Sequence, residues 1–400
     1  MERRNILMLL SNCFDPDPRV YAEARALVKQ GYNVRVLAWD RDSKCPPQET
    51  IDGIEIERIY LSSSHGRGVG QGLVMLPLYI SMWRRACHYE FDCVHAHDFD
   101  TLPIGYALAR WKRKPIIYDS HEDYAGMLHG SIPYPLERLI RWMEARIVRH
   151  VDLVLTVGEQ LRREFERRGS PHSLVVGNWK RLEEFRLNGG TRERVRRELV
   201  IPSDAVVIAF IANLGRERHI PELLGAASRR NEVHCIIGGG GPLAQAAAEA
   251  ASKFKNIHYL GLVNPKDVPA YTWASDVIYY GMDKDNPNAK YSAPNKLFEA
   301  LAAGRAILTS DFGEIGRIVA EHDCGFLLDD FSEEEVIRGL DACCTPTNLE
   351  RWKRNAAEAG TRYNWKAAEA ELTRAYAERL QLAFDRCGRE ERVRANALVP

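Results

Sequence analysis

Short apolar runs alternate with amphipathic stretches through the first half of the chain. Asn5–Leu10 is an apolar run ended by Ser11-Asn12, and reads as a buried strand. Arg19–Gln30 follows, with Val20, Ala24, Leu27 and Val28 at helical spacing and Gly31 as its stop. Asn33–Trp39, Ile54–Leu61, Cys93–His95, Pro115–Tyr118 and Val151–Val157 continue the series of strands. Strands alternating with helices predict a parallel, doubly wound sheet.

The pattern restarts after residue 175. Asp204–Ala212 is strongly apolar, and Val233–Ile237, Ile257–Leu260, Asp276–Tyr280, Ala306–Thr309 and Gly325–Leu328 follow with helices between them. Two α/β domains in tandem are expected. The Arg-rich stretch Lys180–Pro202 between them reads as a linker or an exposed helix. Ala367–Arg386 carries a helical stripe of Leu372, Ala375, Tyr376 and Leu380. The last dozen residues are polar and are expected to fray.

The composition excludes several classes. With 45% apolar and 28% charged residues in 400, the chain is neither disordered, fibrous nor a polytopic membrane protein. Lys+Arg and Asp+Glu are both 55, so nothing global points to a nucleic-acid partner. Nine cysteines without a CxxC pair argue for a reduced, cytoplasmic setting. The first apolar run is too short for a signal segment, and no run approaches the ~18 residues of a spanning helix. Trp83, Trp111 and Trp142 are interleaved with Arg84-Arg85, Arg110–Lys114 and the basic stretch Pro135–His150. That pattern suits peripheral contact with an anionic membrane, and equally suits solvated helix faces over buried aromatics.

Several segments carry candidate chemistry. Gly238-Gly239-Gly240-Gly241-Pro242 lies between a strand and a helix, where it is either a ligand cradle or a tight turn. In Ser292–Gly304, Ser292 is the expected N-cap, Pro294 suits the first turn and Gly304 suits the C-terminal stop. Free N–H groups near Asn295 and Lys296 would form an anion site there. Glu299 sits one turn later among apolar neighbours and needs a partner, for which a ribose diol or solvent would serve. Asn213, Arg216 and Arg218 follow the first strand of the second domain, where Arg forks suit phosphate. In the first domain His95, His97 and Asp98, and then Asp119, His121, Glu122 and Asp123, follow two strands. A metal site is disfavoured there because neither cluster has HxxxH spacing.

Eight segments occur together and in order: FDPDPRVYAEARALVKQGYNVRVLAW, CVHAHD, IYDSHED, VDLVLTVGEQL, IIGGGGP, YLGLV, SAPNKLFEALAAG and NWKAAEAEL. With them the chain, from residue 1 to 385, resembles the retaining glycosyltransferases of family 4. The resemblance implies the GT-B fold, with two Rossmann-like doubly wound domains facing across a cleft and a C-terminal helix returning to the first domain. It implies an acceptor-binding domain at 1–175 with the returning helix 366–386, a nucleotide-sugar-binding domain at 176–365, and a flexible tail at 387–400. The implied reaction moves a sugar from a nucleotide-diphosphate donor to a glycan or lipid-linked acceptor, without a metal or any further cofactor.

The resemblance also assigns roles. His97 would contact the transferred sugar, with His95 as its rival. Arg218 would neutralise the donor diphosphate, and Glu299 would bind the nucleotide ribose. Asn213, Arg216, Gly239, Gly240, Leu262, Val263, Asn295 and Lys296 would complete the donor side. Arg19, His95, His121 and Glu122 are the acceptor-side candidates. Three positions depart from the family pattern. Tyr291 stands where its Glu-x7-Glu motif has the first Glu, Asn213 where its donor loop often has Arg, and Asp15-Pro16-Asp17-Pro18-Arg19 where it has Gly-Gly. A nucleotide-sugar epimerase of the same fold and a non-catalytic sugar-nucleotide-binding protein are the alternative readings.

Overall fold

The computed structural model describes residues 3–15, 17–63 and 69–397, with side chains for all but 69–73 and 382–397 of these. Pro16 lies outside the described residues, and of the expected tail 387–400 only the helical backbone to Ala397 is described. The chain divides into two compact units, Met1–Val176 with Glu369–Pro400, and Gly177–Ala368.

The first unit is built on one sheet of eight strands. These are β1 (Asn5–Leu10), β2 (Asn33–Asp40), β3 (Gln48–Ile51), β4 (Ile54–Tyr60), β5 (Cys93–His97), β6 (Ile116–Ser120), β7 (Leu153–Thr156) and β8 (Ser173–Val175). Their order is β3-β4-β2-β1-β5-β6-β7-β8, parallel except for β3 against β4. β1, β5 and β6 are buried almost throughout. Parallel strands of this kind are covered on both faces, which is why they read as unbroken apolar runs.

Two strands escape the sequence reading. β3 is polar and joins β4 through Asp52 (φ 49°) and Gly53 (φ 83°), the two left-handed positions of a type I′ hairpin. β8 is only half-buried and has no apolar run to mark it. β5 also continues two residues past the expected end at His95, so His95 and His97 both lie within the strand.

β1 has β2 on one side and β5 on the other, so the strand order reverses between β1 and β5. Ligands of doubly wound sheets bind outside the carboxyl ends at such a point. The helix Pro18–Lys29 starts nearby. Asp17 caps it by accepting from the Arg19 and Val20 amides, and Pro18 occupies its first turn. The residues in place of a Gly-Gly pair thus make a capped helix start.

The C-terminal helix, Trp365–Ala397, enters the first unit from Glu369 onward. Leu372, Tyr376 and Leu380 form its buried stripe. Tyr376 packs edge-on against Tyr32, and its hydroxyl lies 2.6 Å from His95 Nδ1. Lys29 pairs with Glu369 at 3.0 Å.

The second unit holds six parallel strands: β9 (Val206–Ile211), β10 (Val233–Gly238), β11 (Ile257–Tyr259), β12 (Val277–Tyr280), β13 (Ala306–Ser310) and β14 (Gly325–Leu328). Their order is β11-β10-β9-β12-β13-β14, reversing between β9 and β12. The Arg-rich stretch is part of this unit rather than a linker. Its helix Gly189–Glu198 sends Arg192 and Arg196 to the two oxygens of Asp276, at 2.8 and 2.7 Å. Asp276 also accepts from the Val207 amide, so the arginines pin the amino ends of β9 and β12. Burial acts to raise the Asp276 carboxyl, but the two guanidiniums outweigh it and hold the group below its ordinary range.

At the start of the helix Asn295–Ala303 the N-cap position falls on Pro294, which offers no side-chain acceptor, and not on the expected Ser292. The Ser292 amide instead donates to the Asn288 carbonyl and continues the preceding 3-10 turn, Pro287–Lys290. Gly304, at φ 62°, closes the helix. The described cysteines are all free. Among the described residues no helix is long and apolar enough to cross a membrane.

The docking of the last helix is testable. Replacing Tyr376 with Ala should cost about 3–5 kcal/mol, the loss expected for a large buried ring. Tyr376→Phe should cost about 1–3 kcal/mol, because only the bond to His95 is lost. Urea unfolding of the two variants separates these values. Equal, small losses would show that the helix does not anchor the first unit.

Candidate functional site

In the first unit, residues far apart in sequence meet around one buried carboxylate at the end of β6. Arg19 forks onto Asp119, with Nε 2.8 Å from Oδ2 and Nη2 2.6 Å from Oδ1. Its Nη1 donates to the Val176 carbonyl at 2.5 Å, and Nη2 lies 3.3 Å from Glu23 Oε1. His121 Nε2 lies 2.9 Å from Asp119 Oδ2, and its Nδ1 lies 3.1 Å from Asp98 Oδ2. His97 Nδ1 is 3.3 Å from Asp119. His95 stacks on His97 with ring centres 4.2 Å apart.

Asp98 holds the edge of this cluster in a left-handed conformation, φ 59°. Its amide donates to the Asp119 carbonyl, and Thr101 Oγ1 bonds the His97 carbonyl. A non-glycine residue at such an angle stores strain that the neighbouring bonds must hold, a recurrent feature of functional sites.

Burial and mutual charge set the protonation states. Burial alone would raise Asp119, but Arg19 and His121 outweigh it and hold the carboxyl well below its usual range. Burial would lower His121, yet Asp98 and Asp119 hold it well above, as an imidazolium. His95 and His97, fully buried, are pushed down and stay neutral. Burial and then Asp119 raise Glu23 to about 8, so it keeps its proton at neutral pH. Of the three histidines only His121 reaches the surface, at 17% side-chain exposure. The Nε2 atoms of His95 and His97 and both Glu23 oxygens have no hydrogen-bond partner.

Glu23, His95, His97 and Asp119 each offer a ligand atom within 4.8 Å of the others, and are the described residues that could hold a metal ion. Arg19 opposes that use. It occupies both oxygens of Asp119 and approaches Glu23, so a divalent ion would share these carboxylates with a fixed positive charge.

In the second unit the candidates lie where β9, β10, β11 and β12 end. Gly239 (φ 134°) donates its amide to the Gly261 carbonyl, and the Leu214 amide donates to the Gly240 carbonyl. A Cβ on Gly239 would sit 1.9 Å from the Ala212 carbonyl oxygen. The glycines therefore let three strand exits pack together: Gly239 lies against the Ala212 backbone, Gly238 against the Val263 and Ile211 side chains, and Gly241 against Asn213 Oδ1. Leu262 projects beside Gly240 and is 86% exposed.

Arg218 crosses to the end of β12. Its Nη1 donates to the Gly281 carbonyl at 3.3 Å, and its guanidinium lies 4.7 Å from the Tyr280 ring centre. Asn213 and Arg216 are exposed. The helix Asn295–Ala303 follows β12, so it begins at the same edge of the sheet, and no side chain caps its first turn. Glu299, 7% exposed, is paired with Lys296 at 2.5 Å. Lys180 Nζ donates to Asn295 Oδ1 at 2.6 Å. Tyr291, in place of the family's first Glu, is buried before this helix.

The structure thus gathers Arg19, His95, His97 and His121, with Glu122 next to them in the chain. It places Arg218, Lys296 and Glu299 at one sheet edge. Three participants escape the sequence reading: Glu23, Tyr376 and Lys180. Glu23 had a signal, because an acid at 23 falls on the same helical face as Val20, Ala24 and Leu27. Tyr376 reads as one more apolar-stripe residue, and Lys180 as part of a polar stretch.

Residues 16–179 match the model of the glycosyl transferase 4-like domain, and residues 191–359 match that of glycosyl transferases group 1. An uncharacterised glycosyltransferase of Methanocaldococcus jannaschii is 22% identical over 379 residues, covering 92% of this chain and 94% of the relative. The D-inositol 3-phosphate glycosyltransferase of Corynebacterium aurimucosum is 22% identical, over 76% of this chain and 75% of its own. Anabaena HepE in complex with UDP superposes with a TM-score of 0.71 at 15% identity, covering 94% of this chain and 100% of that one. With two Rossmann-like units matched in succession by the two models, the chain belongs to the family 4-type GT-B glycosyltransferases.

Proposed function

We propose that this enzyme moves a sugar from a nucleoside-diphosphate donor to an acceptor with retention of anomeric configuration and without a metal ion. The observation that carries the donor assignment is the gathering of Arg218, Lys296 and an uncapped helix start at the carboxyl edge of the second sheet. The bond from the anomeric carbon to the donor's phosphate oxygen breaks, and the acceptor oxygen bonds to that carbon. The acceptor's proton leaves with the diphosphate. Negative charge grows on the departing diphosphate, and fixed cations and helix N–H groups stabilise it without reorganising.

Glu299 in this reading accepts hydrogen bonds from the ribose hydroxyls while Lys296, its present partner, turns to phosphate. UDP, the nucleotide in the HepE structure, is the first donor fragment to try. The first unit receives the acceptor beside His121, whose positive charge is fixed by Asp98 and Asp119. A membrane-proximal acceptor is supported by the exposed face of the helix Tyr134–Ile147. There Tyr134, Leu139 and Trp142 point outward beside Arg138 and Arg146.

Three outcomes test this reading. Glu299→Gln should weaken UDP binding by about 1.5–3 kcal/mol, one to two decades by calorimetry. Unchanged affinity would remove the ribose role. Arg218→Ala should lower kcat by on the order of 3 kcal/mol, with a smaller effect on donor binding, because its partner charge develops in the transition state. A near-normal kcat would make it a surface arginine.

The third outcome concerns pH. The histidines held neutral take up protons only on unfolding, and their opposing contribution fades as pH rises past their ordinary value of 6.5. Glu23 keeps its proton up to about 8, and burial holds the Asp100 and Glu144 protons up to about 7. His121, raised, loses its stabilising charge as pH climbs through its folded value. In all four the folded chain binds more protons than the unfolded one, so stability should fall between pH 6.5 and 8. Urea midpoints should drop over this range, and Glu23→Gln should flatten the slope. Midpoints that stay level or rise in the unaltered protein would contradict these protonation states.

A further inference from the structure

In the second unit the 3-10 turn Arg216–Arg218 and the helix Ile220–Ser228 meet at His219, which is left-handed at φ 52° and ψ 39°. A residue with a side chain adopts that conformation at a cost, which its surroundings must offset. Two contacts do so. The His219 ring stacks on Phe331, with ring centres 4.3 Å apart and planes 7° from parallel. Its carbonyl accepts from the Tyr279 hydroxyl at 3.2 Å. Phe331, 8% exposed, packs edge-on against the fully buried Tyr279. The stack therefore ties the segments that leave β9 and β14 to the end of β12.

The consequence falls on the preceding residue, Arg218. Its carbonyl lies so close to Gly281 that a Cβ there would sit 2.2 Å from the oxygen. Its Nη1 donates to the carbonyl of the same glycine at 3.3 Å. Arg218 is thus seated on the end of β12 by both its backbone and its side chain. The seat requires the peptide between residues 218 and 219 to face β12, and the turn at His219 sets that orientation. A rival partner is at hand, because Glu217 Oε1 lies 3.4 Å from Arg218 Nε. The His219 ring itself is engaged within the unit, by Phe331 and by Glu222, 3.8 Å from its Nδ1.

We infer that His219 is a positioning residue: stacked on Phe331, it holds Arg218 on the end of β12, aimed at the terminal phosphate of a nucleoside diphosphate. This deepens the proposed donor site and rests on it. A cation fixed beforehand meets the charge on the departing diphosphate without having to be ordered in each turnover.

The test is calorimetric binding of UDP and UMP, and of GDP and GMP, to the whole enzyme. The ratio of diphosphate to monophosphate affinity reads the terminal phosphate, for which Arg218 is held. For one base it should be at least tenfold in the unaltered protein. His219→Asn puts in a residue that accepts the left-handed angle and cannot stack in this way. Phe331→Leu removes the other half of the stack from a different segment. Each should cut the ratio at least threefold with monophosphate affinity unchanged, whereas a general loosening of the unit would weaken both nucleotides alike. Arg218→Ala should also cut the ratio, and His219→Asn added to it should cause no further loss. A ratio left unmoved by either folded stack variant, while Arg218→Ala reduces it, overturns the inference and leaves the donor reading standing. So does a double variant in which the two losses add. No diphosphate preference in the unaltered protein, or one that survives Arg218→Ala, overturns the Arg218 assignment and the inference with it.

Discussion

One buried ion pair, the fork of Arg19 on Asp119, organises the first unit. Arg19 belongs to the first turn of the helix Pro18–Lys29, Asp119 to the end of β6, and the remaining arginine nitrogen reaches the Val176 carbonyl. Three chain segments are thereby fixed at one point. A buried pair of this kind repays its desolvation only when its other donors and acceptors are also satisfied. Here the Val176 carbonyl and His121 satisfy them. Removing either charge would leave the other stranded, at a cost of about 3–5 kcal/mol.

The same pair sets the character of the histidines. Asp119 is ionised because of Arg19, and His121 is charged because of Asp119 and Asp98. His97, without enough compensation for its burial, stays neutral. Positive charge therefore stands at the rim of the unit and neutral imidazoles behind it. The second unit is arranged differently. Its cation pair, the half-buried Arg192 and the buried Arg196 on Asp276, lies at the amino ends of the strands and braces the sheet. Arg218 and Lys296 remain at the carboxyl edge, where a diphosphate would meet them.

Much of this was legible in the sequence because the central strands are unbroken apolar runs and burial on both faces leaves no other reading. HAHD and DSHED could be placed at the ends of neighbouring strands for the same reason. β3 was not legible from hydrophobicity, since its residues are polar, although Asp52-Gly53 carried the turn signal. The network around Asp119 was only half visible. Its members sit at 19, 23, 95, 97, 119, 121 and 376, and spacing along the chain says nothing about such meetings. Glu299 shows another limit. An acid among apolar neighbours signalled a needed partner, but the partner in the structure is Lys296, one turn before it on the same helix. The glycine run at 238–241 was ambiguous in sequence, and the backbone contacts at Gly239 give it a packing reason that holds whether or not a ligand binds.

The most direct test of the account is to incubate the enzyme with UDP- and GDP-sugars labelled at the anomeric carbon, an alkyl glycoside acceptor and excess EDTA, and to follow the carbon resonance. The account predicts release of the nucleoside diphosphate with one of these donors and a product of the same anomeric configuration as that donor. An inverted product, or activity abolished by EDTA and restored by a divalent ion, would contradict it.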